Sequence, residues 1–303
     1  MKIHRQSSFK TPEKDLAYLS EWVKRMEKLN GYSYPSLKLK TSLGETHIWH
    51  HNLERKDLPA LVLFPGARTT VLFWDLDKNL EILRAQYRLI LVETNGLPNF
   101  SEGKSPNIKG LDYGKWGKEI LDQLELEEVF LAGVSFGGEV AMKMGIIAPE
   151  KVKAIFLFNS AGLSPFSLGW TNLYYNILPV FKTNRKNVQL FLEKLIFQAP
   201  EHTLSESSMD LVIDYEVFAI DRYKDKTQKP YFMGKELQRV QPDSYVFEGN
   251  ADLLFPYTNS IKNARKYLPA LKAVEVFPDV GHGIETYAPA LKKMKEILES
   301  YVQ

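Results

Sequence analysis

Three residue types in this 303-residue chain could together carry nucleophilic chemistry. Ser135 stands in Gly133-Val134-Ser135-Phe136-Gly137, Asp252 in "FEGNADLLFP" and His282 in "DVGHG". A hydroxyl is a weak nucleophile at neutral pH and needs an adjacent base. An imidazole can take its proton and return it to a leaving group. A carboxylate on the far ring nitrogen fixes the imidazole tautomer and stabilises the imidazolium. The chemistry would be acyl transfer, provided the fold brings together residues far apart in sequence.

The elements that must position them are legible as short apolar runs. They are "PALVLFPG" from Pro59, "YRLILVETNG" from Tyr87, "EVFLAGVS" from Glu128, "KAIFLFNSAG" from Lys153, "SYVFEGNAD" from Ser244 and "AVEVFPDVGH" from Ala273. Strands without alternation are buried on both faces, as in a parallel sheet covered by helices. Helical stripes separate most of the runs: Tyr113, Trp116, Ile120, Leu121 and Leu124 form one, and Leu291, Met294, Ile297, Leu298 and Tyr301 another. Strand and helix in alternation predict an α/β fold with a doubly wound, mostly parallel sheet. Ligands of such sheets gather outside the C-terminal ends of the strands. Ser135, Asp252 and His282 each follow a run at that end, and so does Pro65-Gly66-Ala67-Arg68.

Other segments fill out the organisation. Thr11-Pro12 reads as an N-cap and first-turn proline, with Leu16, Leu19, Val23, Met26 and Leu29 at helical spacing and Asn30-Gly31 as the stop. "SLKLKTSLGETHIWHHNL" predicts an antiparallel hairpin about Leu43-Gly44. Between Asn159 and Ser244 no strand-like run occurs, while aromatics and helical stripes such as Val188, Phe191, Leu192 and Leu195 abound. Structureless insertions of that length are uncommon, so a helical subdomain is expected. The division is an N-terminal helical extension over 1–35, a core over 36–162 and 240–303, and a helical cap over 163–239.

A Gly-x-Ser-x-Gly arises by chance in roughly one chain in ten of this length, so its place between a strand and a helix matters more than the motif. Gly133 and Gly137 let the strand and helix pass closely, and the N–H of Phe136 opens the helix toward a developing oxyanion. Asp243 precedes its strand and lies at the wrong end of the sheet. Asp279, three residues before His282, reads as a loop residue, which leaves Asp252 as the acid. The cluster His47, His50 and His51 has no carboxylate or cysteine at ligand spacing and reads as a solvated hairpin, so no metal site is expected. Gly103-Lys104-Ser105 lacks the first glycine of a phosphate loop and is followed by Pro106.

On these residues the chain resembles the α/β-hydrolase family from about Pro59 onward. "GVSFGG" matches that family's nucleophile elbow, "FEGNADLLFP" its acid turn and "DVGHG" its histidine loop, in the order nucleophile, acid, base. The resemblance implies an eight-stranded sheet, a helical cap inserted between sheet strands, no cofactor and a pocket between sheet and cap. It also implies that Gly66 lets the oxyanion loop turn and that Ala67 supplies the second oxyanion N–H. Pro65 stands where many members carry histidine. Arg68, next along, is either a surface charge or an anchor for a substrate carboxylate.

Composition excludes several other classes. Formal charge is +2 with 25% charged residues and no long like-charge block, so neither nucleic acid nor an anionic membrane is an expected partner. The chain has no cysteine, which removes disulfides, thiolate metal sites and cysteine nucleophiles. No run reaches the length of a spanning helix, and "MKIHRQSSFKTPEKD" has no apolar leader, so a cytoplasmic protein acting on a small molecule is expected. The expected function is a serine hydrolase cleaving a carboxylic ester of a small, largely apolar substrate. Thioester, lactone or carbon–carbon bond hydrolysis, perhydrolysis on the same triad, and a silent ligand-binding relative remain open at this point.

Overall fold

The computed structural model describes residues 8–224 and 229–301. Eight strands form one sheet: β1 (Ser36–Thr41), β2 (Gly44–His51), β3 (Ala60–Phe64), β4 (Arg88–Val92), β5 (Val129–Val134), β6 (Val152–Phe158), β7 (Asp243–Gly249) and β8 (Leu271–Phe277). Their order is β1-β2-β4-β3-β5-β6-β7-β8. Only β2 runs against its neighbours, pairing antiparallel with β1 and β4 while all other pairs are parallel. The chain lays β4 on one side of β3 and β5 on the other. This reversal opens a crevice at the C-terminal ends of β3 and β5, where open α/β sheets bind ligands.

Alternate strand residues feed two cores. Leu61, Leu63, Phe130, Ala132, Phe156 and Phe247 face one side; Val62, Phe64, Val129, Leu131, Leu157 and Val246 face the other. The helices are α1 (Pro12–Asn30), α2 (Glu81–Arg84), α3 (Asp112–Gln123), α4 (Phe136–Ile147), α5 (Trp170–Phe181), α6 (Arg185–Phe191), α7 (Glu206–Arg222), α8 (Tyr257–Tyr267) and α9 (Ala288–Glu299). Helices α3, α4 and α8 join the second core, while α1, α7 and α9 join the first. Helices α5, α6 and α7 lie between β6 and β7, where the sequence has no strand-like run. Among the described residues no helix is long and apolar enough to cross a membrane. Residues 1–7 of the expected N-terminal extension and 225–228 of the expected cap lie outside the described residues.

Several local expectations change. Thr11 does precede α1, but its side chain does not cap the helix. Its N–H and Oγ1 instead donate to the Asp15 carboxylate at 2.8 and 3.0 Å. The histidines do not sit on a solvated hairpin, because β2 is flanked by β1 and β4. His47 is buried against Trp49 and Phe100, and His51 lies against Tyr32 and Tyr34. Strand β8 is an edge strand, so it is only partly buried despite its apolar run. Helix α1 lies against the inserted region. It packs on α7 through a Trp22–Tyr215 ring contact at 5.2 Å and a Trp22 Nε1 bond to the Leu211 carbonyl at 2.9 Å.

Candidate active site

Ser135 ends β5 with φ 51° and ψ −118°, a conformation that L-residues rarely adopt. Two close approaches force this bend. A Cβ on Gly133 would lie 2.3 Å from the carbonyl carbon of Gly137, and one on Gly137 would lie 2.6 Å from the carbonyl oxygen of Phe64. No larger residue fits while strand and helix pass this closely. The serine backbone is pinned on both sides: its N–H donates to Phe158 O at 2.9 Å, and its carbonyl accepts from Gly138 and Ala161, each at 3.0 Å. Phe136 is the first residue of α4, where backbone N–H groups have no intrahelical acceptor. Its ring anchors the helix start edge-on against Tyr113 at 5.3 Å.

Asp252 follows β7. Its Oδ1 accepts from the N–H groups of Leu254 and Phe255 at 2.7 and 3.2 Å, which fixes the carboxylate in its own turn. Its Oδ2 lies 2.8 Å from Nδ1 of His282, which follows β8. Nε2 of the same ring is thereby left as the nitrogen available to a nucleophile. Both residues are buried. Burial alone would pull the imidazole below its ordinary pKa. The charge and hydrogen bond of Asp252, joined by the charge of Glu285, outweigh it and raise the pKa. Glu285 is itself pushed up to about 7 by burial.

Asn159, at the end of β6, ties these pieces together and was not foreseen. Its Nδ2 donates to the carbonyls of Gly281 and His282 at 2.9 and 3.1 Å, and its Oδ1 accepts from Gly249 N at 2.8 Å. It holds the histidine loop to the strand that carries the acid. Asn159 ends the apolar run from Lys153, and a polar amide at the end of such a run is the signal the sequence offers. The far side of the histidine loop is held by the inserted region, since Gly283 N donates to Ile196 O at 3.0 Å.

The loop opposite the serine is braced by a second residue that was not foreseen, Glu93 at the end of β4. Its carboxylate accepts from Trp49 Nε1 at 2.9 Å, Thr70 Oγ1 at 2.5 Å and Val71 N at 3.2 Å. Burial raises this carboxyl to about 7, against the pull of those donors. Gly66 carries no positive φ; the left-handed residue of the loop is Arg68, at φ 65°. A Cβ there would make only ordinary contacts, 3.6 Å from Thr69 Oγ1 and 3.7 Å from the Cβ of Ser135, so neither turning nor crowding requires this glycine. Ala67 and Arg68 are exposed. The charge of Arg68 pulls down the carboxyl of Glu216 on α7, which burial holds at about 7.

The rival acids lie elsewhere. Asp243 begins β7 at the opposite end of the sheet, where it accepts from Tyr301 Oη at 2.7 Å. Asp279 has φ 55°, and its N–H donates to Asn250 Oδ1 at 2.8 Å. A small apolar cluster of Ala161, Leu195, Leu254 and Phe255 adjoins the serine, acid and histidine loops. Phe166, Tyr175 and Phe191 pack on it. The sequence left unassigned which aromatics of the insertion come here.

No family model matches the sequence. Two curated relatives from Bacillus subtilis (strain 168) are similar over most of its length. Carboxylesterase YbfK is 22% identical over 253 residues, covering 83% of this chain and 82% of that protein. The uncharacterized carboxylesterase nap is 24% identical over 257 residues, covering 84% and 82%. Among solved structures, the naproxen esterase (carboxylesterase NP) of Bacillus subtilis superposes with a TM-score of 0.78 at 22% identity, over 95% of this chain and 98% of that one. The chain thus has the α/β-hydrolase fold and is similar over most of its length to carboxylesterases.

Proposed function

We propose that the chain hydrolyses carboxylic esters of small, uncharged, largely apolar acids through an acyl-enzyme on Ser135. The observation that carries this reading is the 2.8 Å contact of His282 Nδ1 with Asp252 at strand ends adjoining a serine held in a strained elbow. Similarity to two carboxylesterases over most of the chain supports it. Ser135 Oγ attacks the ester carbonyl as its proton passes to Nε2 of His282. The N–H groups of Phe136 and Ala67 receive the oxyanion, each contributing about 3–4 kcal/mol. The tetrahedral intermediate collapses, the C–O bond breaks and His282 protonates the departing alcohol. Water then attacks the acyl-enzyme with the same histidine as base, releasing the acid and restoring the serine.

Two features support an uncharged acyl group. Arg68, the candidate anchor for a substrate carboxylate, is exposed on its loop rather than among the buried residues of the site. The side chains adjoining the site from the insertion are apolar or aromatic. In this reading the region 163–239 is a cap whose opening admits substrate and whose closure excludes water.

A fluorophosphonate probe tests the mechanism. The folded protein should be labelled once and Ser135→Ala not at all, with loss of p-nitrophenyl ester turnover in parallel. Labelling that survives the substitution overturns the assignment of Ser135, and an unlabelled wild type overturns the hydrolase mechanism.

A further inference from the structure

Helix α5 is amphipathic in the wrong direction for a surface helix. Its buried residues are Asn172 and Pro179. Asn172 Nδ2 donates inward to Ser167 O at 2.7 Å, and Asn176 donates in turn to Asn172. Most of its large apolar side chains face out: Trp170 is 84% exposed and Phe181 87%, with Tyr174, Ile177 and Val180 exposed between them and Leu168 just before, while Leu173, Tyr175 and Leu178 are half-buried. A globular surface helix turns its polar face to water. An apolar patch of this extent marks a surface that binds something.

We infer that the exposed face of α5 docks on an anionic lipid surface. Charge and residue type favour that occupant over a second copy of the chain. The helix contains no acidic or basic residue. At its C-terminal end Lys182 and Lys186 are exposed and, among the described residues, form no ion pair. The neighbouring Arg185 is taken up by Asp210 and Asp214. Two such lysines beside an apolar face suit phospholipid phosphates, and α5 offers no acidic residue with which a second copy could pair them. Trp and Tyr are the side chains that settle at the headgroup boundary, and a helix this short lies in the interface rather than across it. The expectation of no membrane partner rested on the absence of a spanning run and of a charge block, and neither is needed here.

Docking would also place the site at the lipid. Ser167, just ahead of α5, donates to Leu254 O at 2.8 Å in the turn of Asp252, and Tyr175 of α5 packs on the apolar cluster at the histidine loop. An ester partitioned into the lipid would then enter without crossing water. This last step rests on the proposed ester hydrolysis; the docking itself does not.

The molecule carries its own reporter. Of five tryptophans, Trp22, Trp49, Trp74 and Trp116 are buried and Trp170 alone is exposed. Vesicles of phosphatidylcholine with one-third phosphatidylglycerol should shift the emission to the blue and carry the protein into the pellet. Pure phosphatidylcholine should do so about tenfold less well, and the double variant Lys182→Ala/Lys186→Ala should lose a similar factor on the anionic vesicles. Trp170→Phe should abolish the shift yet still sediment, and Trp170→Ser/Phe181→Ser should lose both. Turnover of water-soluble p-nitrophenyl acetate should stay within about twofold in all variants, which separates failed docking from a failed hydrolase reading. Unchanged emission with the anionic vesicles overturns the proposal. So does protection of Trp170 from iodide that rises with protein concentration without lipid, because a second copy then covers the face.

Discussion

Helices α4 and α5 are each 12 residues long and largely apolar, and they meet opposite surroundings. In α4, every residue from Phe136 to Gly145 is buried, even the ion pair Glu139–Lys143 at 3.1 Å. In α5, Asn172 turns inward while Trp170, Tyr174, Ile177, Val180 and Phe181 turn out. Both helices need a non-aqueous partner, because apolar surface left in water costs about 25 cal/mol per Å². For α4 that partner is the chain itself, and its tight packing holds Ser135 in place. For the outer face of α5 nothing in the described chain meets the need. Apolar composition states the demand; where the helix sits decides whether the fold or another body answers it.

Five substitutions sharpen this contrast. The largest effect should come at the head of α4: Ser135→Ala should lower ester turnover at least about 10⁴-fold with the melting temperature unchanged. Gly133→Ala comes next, since its new Cβ meets the Gly137 carbonyl carbon at 2.3 Å. Urea unfolding should report a loss of about 3 kcal/mol, with activity falling alongside. Met144→Ala, in the body of α4, should cost about 2–5 kcal/mol in the same assay, and a cost under 1 kcal/mol would mean the packing of α4 is looser than described. Asn159→Ala leaves Gly249 N and two loop carbonyls without their partner, and should cost about 2 kcal/mol. Its kcat should fall more than KM rises, because the histidine is displaced rather than the substrate pocket. Trp170→Ser in α5 should change stability by no more than about 0.5 kcal/mol. A larger loss would mean that α5 has a partner within the fold.

The pH profile probes the buried side of the comparison. His282 acts as a base only when neutral, so kcat/KM should be lost as pH falls through its folded pKa. That pKa is raised, so the acid limb should lie above the ordinary histidine value of about 6.5. In Asp252→Asn the residual activity should have its limb moved down, because burial then acts with less opposition.

The sheet and the strand-end placement of Ser135, Asp252 and His282 were legible because each signal is local. A buried parallel strand needs an unbroken apolar run, and an elbow needs glycine two positions either side of the serine. Asn159 and Glu93 were not legible as positioning residues, although both sit in quoted runs. Their partners, Gly281 and His282 for one and Thr70 and Val71 for the other, are set by which strands become neighbours. His47 was misplaced for the same reason: alternation in a hairpin says nothing of whether a distant loop, here through Phe100, covers it.

By itself, then, the chain's sequence determined the residue types at the strand ends, their order and the helical nature of the insertion, since these depend on spacing along one chain. Only the tertiary structure decided that Asp252 reaches His282, that Asn159 and Glu93 brace the two loops beside Ser135, and that α5 turns its apolar face outward. Those are facts of three-dimensional adjacency. The same amphipathic pattern satisfies local helix geometry whichever face meets the core, and only the packing of neighbouring elements chooses between them.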